Sequence, residues 1–151
     1  MEKSDLKNNL IRTLARMYDK ESFGILMIFF QGENRVLLYL SEHPDMDVYS
    51  SLISDKLHVS RSRVTAILTM LRKKGYVTLK MSENDRRRML IKITAEGLAF
   101  IREKQKWAER YFEILVDGLG EENTVELTRL VKISADIMEK KSLENGDCKR
   151  K

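Results

Sequence analysis

Apolar residues at Leu6, Leu10, Leu14 and Met17 are spaced by four, four and three positions, which marks one face of an amphipathic helix across residues 5–20. The run Phe23–Phe30 is apolar almost all round, so burial is expected there, as a helix or a packed connector, with Gly32 as its break. Glu33–His43 then reads as a helix turning Val36, Leu37 and Leu40 inward. Pro44 stops it, because the residue before a proline is pushed out of helical conformation. His43 falls in its last turn, where positive charge suits the helix dipole. Met46-Asp47-Val48 fits a very short strand, and Tyr49–Leu57 a short helix burying Leu52, Ile53 and Leu57. His58 sits in the turn that follows, at a position that favours positive φ, which histidine tolerates better than most residues.

The next helix is the informative one. Ser60 can cap its first turn, and Val64, Ile67, Leu68 and Leu71 pin one face to a core. The opposite face carries Arg61, Ser62, Arg63, Thr65, Ala66 and Thr69. Short polar groups let the backbone approach a duplex closely, while two guanidiniums reach base edges or phosphates. Gly75 closes the helix. Val77–Ser82 alternates apolar and polar, and Met89–Ile93 can pair with it, with Met89, Ile91 and Ile93 on the core side. The two runs predict an antiparallel hairpin whose tip holds Asp85, Arg86, Arg87 and Arg88, with Lys80 on one arm. Thr94 then caps a new helix, and Glu96 suits its first turn.

Residues 95–117 and about 121–141 give two further helical patterns, divided near Gly118-Leu119-Gly120. The tail from Ser142 is polar and expected to fray. The predicted fold class is mainly α with a small antiparallel β-hairpin wing. A winged helix-turn-helix at 33–97 is flanked by helical regions at 1–32 and 98–141. A compact core of three helices cannot cover the apolar faces of both ends. A second copy can, so a twofold homodimer is expected, with Leu6, Leu10, Leu14, Leu130 and Ile137 in its interface.

Charge sharpens this picture. Arg72–Lys92 holds eight basic and two acidic side chains, a balance of +6, although the whole chain carries only +5. An imbalance confined to one hairpin is an electrostatic footprint for a polyanion. A dimer carrying two such heads would meet a palindromic duplex with half-sites one helical turn (~34–36 Å) apart.

Other chemistries find little material. Two histidines in helix-end positions and one cysteine, Cys148, offer no zinc set and no nucleophile–base pair. No metal, no cofactor and no enzymatic activity are therefore expected. The lone cysteine suits a reducing cytoplasm, and the longest apolar run, Ile25–Phe30, is far too short for a membrane span.

Residues 33–97 resemble the winged helix-turn-helix of the multiple antibiotic resistance regulator (MarR) family. The resemblance runs through Val59-Ser60-Arg61-Ser62-Arg63-Val64-Thr65, Leu71-Arg72-Lys73-Lys74-Gly75-Tyr76-Val77, Asp85-Arg86-Arg87 and Ile91-Lys92-Ile93-Thr94-Ala95-Glu96-Gly97. Ile93 replaces the family's usual leucine, and Arg88 stands where a small residue is common. The resemblance implies a dimeric transcription regulator, usually a repressor, with the terminal helices as dimerisation region. It also implies that Arg87 enters a minor groove, that Asp85 orients an arginine, and that a small-molecule effector releases DNA. The sequence names no such effector. The alternative is a winged-helix module that binds another protein and no DNA; the basic tip and Arg61/Arg63 weigh against it.

Overall fold

The computed structural model describes residues 2–144. The elements run α1 (Lys3–Tyr18), α2 (Glu21–Phe29), α3 (Gly32–Glu42), β1 (Val48–Tyr49), α4 (Ser50–Leu57), α5 (Arg61–Lys73), β2 (Val77–Met81), β3 (Met89–Ile93) and α6 (Ala95–Glu144). The chain divides into two compact units, 1–108 and 109–151.

The core of the first unit is the one the apolar spacing selects. Val36, Leu37 and Leu40 of α3, Ile53 and Leu57 of α4, and Val64, Ile67, Leu68 and Leu71 of α5 are all buried. Val48, Val77 and Ile91 close it from the sheet, and Ile101 from α6. The predicted hairpin is part of a three-stranded antiparallel sheet in the order β1-β3-β2. Val77 faces Ile93, Leu79 faces Ile91 and Met81 faces Met89 across the β2–β3 ladder, while Val48 and Tyr49 pair with Ile91 and Leu90.

Three apolar expectations are corrected. Leu52 of α4, expected inside, is only half-buried. Met89 lies on the core-side register, yet it is 42% exposed, because the β2–β3 ladder runs out past the edge of the helical layer and Met81 opposite it is open too. The run Phe23–Phe29 is helical, and among its described side chains Leu26 and Phe29 are buried, while Ile28 and the following Phe30 face outward. An all-round apolar helix has no polar face to mark its solvent side, so its periodicity carries no orientation.

The joints match local chemistry. Gly32 adopts φ +56 after Gln31, separating α2 from α3. Helical φ/ψ breaks at Gly120 (φ 74, ψ 171), within the expected divide. Helical backbone continues to Glu144, past the Ser142 start of the expected tail, because Lys140, Lys141 and Glu144 are good helix formers. Cys148 and residues 145–151 lie outside the described residues.

α1 has no buried side chain, and Leu6, Leu10 and Leu14 are all half or more exposed. In the second unit Leu130 and Ile137 are also exposed, beside Val131 and Met138. Among the described residues, no helix is long and apolar enough to cross a membrane.

Candidate nucleic-acid interface

α4, its turn and α5 form the helix-turn-helix. The turn is built by His58, which takes φ 52, ψ 43 as α4 ends. Ser54 locks it from both sides: its Oγ donates to the Val59 carbonyl at 2.7 Å, and its own carbonyl accepts the Val59 N–H at 3.2 Å. Sequence reasoning found His58 but passed over Ser54, whose carbonyl takes the six-to-one bond of a Schellman-type helix close around the left-handed His58. Ser60 caps α5, accepting the Arg63 N–H at 3.4 Å.

With Val64, Ile67, Leu68 and Leu71 buried, Arg61, Ser62, Arg63, Thr65, Ala66 and Thr69 are all exposed on the outer side of α5. The threonine hydroxyls donate back to their own helix, Thr65 to the Arg61 carbonyl at 3.0 Å and Thr69 to the Thr65 carbonyl at 2.8 Å. Their hydrogens are thus committed, and what they offer outward is an oxygen acceptor and a methyl group.

The start of α6 is fastened beneath this helix. Thr94 Oγ1 donates to the Gly75 carbonyl at 2.6 Å and accepts the Gly97 N–H at 3.1 Å. The Thr94 N–H donates to the Tyr76 carbonyl at 2.9 Å, and the Tyr76 and Phe100 rings stack at 4.7 Å. Gly75 takes φ 76, the left-handed conformation expected where a helix closes.

The basic stretch separates into two kinds of residue. Lys74 pairs with Glu33 of α3, Lys92 lies 3.7 Å from Asp47, and Arg88 Nε lies 3.4 Å from Asp85 Oδ2. Lys92 also donates to the Met46 carbonyl at 3.2 Å. Arg72, Lys73, Lys80, Arg86 and Arg87 are exposed, as are Arg61 and Arg63. Lys74 and Lys92 tie separate elements together, while Arg88 pairs within its own loop; all three stay partly open to solvent beside the second group. Composition alone could not divide them, because the acidic partners Glu33 and Asp47 lie far away in sequence.

At the hairpin tip, the Ser82 N–H donates to the Arg88 carbonyl and the Arg88 N–H to the Asp85 carbonyl, each at 2.9 Å. Asp85 Oδ1 accepts the Arg87 N–H at 3.0 Å. The carboxylate thus holds the backbone of Arg87 and the side chain of Arg88. Among the described residues, no group of three or more metal-ligating side chains is brought together.

Comparison with known proteins agrees with this geometry. Residues 33–88 match the model of the MarR family. The chain is 28% identical over 103 residues to the HTH-type transcriptional regulator FarR of Neisseria gonorrhoeae, covering 68% of this chain and 69% of that one. It is 28% identical over 98 residues to the homoprotocatechuate degradative operon repressor of Escherichia coli, covering 65% of each. Among solved structures, the fold matches the Staphylococcus aureus MepR–DNA complex with a TM-score of 0.65 at 20% identity, over 87% of this chain and 97% of that one. In its helix-turn-helix, its wing and its relatives, the chain is thus similar to the MarR family of winged helix-turn-helix transcriptional regulators.

Proposed function

We propose that this chain is a cytoplasmic, homodimeric repressor that binds a palindromic operator in double-stranded DNA and releases it when a small-molecule effector binds. The observation that carries the reading is the split character of α5: four apolar side chains buried on one side, and Arg61, Ser62, Arg63, Thr65, Ala66 and Thr69 exposed on the other. A helix anchored in this way and bare on its outer side suits a major groove. Lys80, Arg86 and Arg87 are open on the wing beside it, and a narrow minor groove concentrates the negative potential that attracts an inserted arginine. Asp85 and Arg88 shape that wing.

Dimerisation is supported by the bare apolar faces at both ends of the chain, through Leu6, Leu10, Leu14, Leu130 and Ile137. The regions 1–32 and 98–141 are accordingly assigned to dimerisation. Repression is supported by the likeness to the homoprotocatechuate operon repressor, and duplex binding by the likeness in fold to DNA-bound MepR.

The test is binding to duplex DNA as a function of salt. Each phosphate contact contributes about −0.9 to the slope of log K against log salt, so affinity should fall by orders of magnitude between ~50 and ~200 mM. Binding that ignores salt, or no binding to any duplex, would overturn the reading.

A further inference from the structure

The wing tip is fastened to the helix-turn-helix through one aromatic ring. Tyr49 pairs with Leu90 in the β1–β3 ladder. Arg88, two residues before Leu90, is therefore its diagonal neighbour, within reach of a long side chain. The Arg88 guanidinium carbon lies 5.5 Å from the centre of the Tyr49 ring. The same guanidinium pairs with Asp85 Oδ2, and Asp85 Oδ1 holds the Arg87 N–H. A continuous chain of contacts thus runs from Tyr49 through Arg88 and Asp85 to the backbone of Arg87.

Tyr49 also directly precedes α4, the first helix of the helix-turn-helix. The chain of contacts joins the frame of the reading helix to the arginines at the wing tip. We propose that Tyr49 and Arg88 are positioning residues that fix the direction in which Arg86 and Arg87 leave the wing. This rests on the DNA-binding reading above. Arg88 is then a strut, held by an aromatic face and a carboxylate, and not one of the groove-reaching arginines. Fixing the tip beforehand lowers the ordering cost when the wing meets a duplex.

The test uses the full chain and the duplex that wild-type protein selects from a random pool. Loss of one exposed cation–π contact predicts that Tyr49→Leu weakens binding about two- to fivefold. The salt slope should not change, because tyrosine carries no charge to a phosphate. Tyr49→Phe keeps the ring and should bind as wild type. In the Arg88→Ala background, Tyr49→Leu should have no further effect. Far-ultraviolet circular dichroism checks that each variant is folded.

Wild-type affinity for Tyr49→Leu, or equal losses for the Leu and Phe variants, would overturn the proposal. So would additive losses in the double variant. Arg87→Ala separates the two levels of argument. If it weakens binding while Tyr49→Leu does not, the strut is wrong and the DNA-binding reading stands. If neither changes binding, the wing makes no contact and the strut is wrong; only failure of the wild-type chain to select any duplex would sink the DNA-binding reading itself.

Discussion

Gly97 is the position where one methyl group should do the most harm. A Cβ built there would lie 2.2 Å from the Tyr76 carbonyl oxygen, 2.9 Å from its carbon and 3.0 Å from its Cα. All three are backbone atoms, so no rotamer change relieves the overlap. The Tyr76 carbonyl cannot turn away freely either, because it accepts the Thr94 N–H at 2.9 Å. Either α6 shifts outward or that hydrogen bond breaks. Overpacking of a tight contact costs about 1–3 kcal/mol. A lost backbone hydrogen bond adds about 1 kcal/mol. The better helix propensity of alanine returns up to about 1 kcal/mol. The G97A variant should therefore be less stable by about 2 kcal/mol, read by urea denaturation at fixed protein concentration, since a dimer's stability depends on it. Gly118 in the same helix is the control. Nothing lies within 4 Å of a Cβ there, so G118A should gain about 0.5–1 kcal/mol. A G97A protein as stable as wild type would refute the close approach between α6 and Tyr76, and with it the seating of the wing.

Arg87→Ala should weaken duplex binding and reduce the salt slope by about 1, with the unfolding midpoint unchanged; an unaltered slope would make that arginine a bystander. Replacing Leu10 and Leu14 together with glutamate should convert a dimer into a monomer by light scattering, since both are exposed apolar positions of α1. A variant pair that stays dimeric would place the interface elsewhere. His58→Val should cost about 1–2 kcal/mol in denaturant titration, because a β-branched residue resists the left-handed conformation at φ 52, whereas His58→Gly should not be destabilised.

The helix-turn-helix was legible because its signals agree at every level. Ser60, the spacing of Val64, Ile67, Leu68 and Leu71, and Gly75 each specify the same helix, and the structure buries all four apolar residues. His58 was legible for a similar reason, since a short helix, a turn and a second helix leave one residue to reverse the chain. Long-range pairing was not legible. Nothing local to Lys74 or Lys92 reveals Glu33 or Asp47 as partner, so the basic stretch reads from sequence as uniform charge. The wing tip shows the same limit. Arg86, Arg87 and Arg88 are identical in composition, and only the ladder register, which sets Arg88 diagonally across from Tyr49, distinguishes the strut from its neighbours. Met89 failed differently: alternation places a side chain on a face, but not whether a core extends far enough to cover it.

The most direct test of the account is selection of bound sequences from a random duplex pool with the full chain. Enrichment of an inverted repeat, its half-sites one helical turn (~34–36 Å) apart, is the predicted outcome. Recovery of no sequence preference, or of a single site without twofold symmetry, would contradict it.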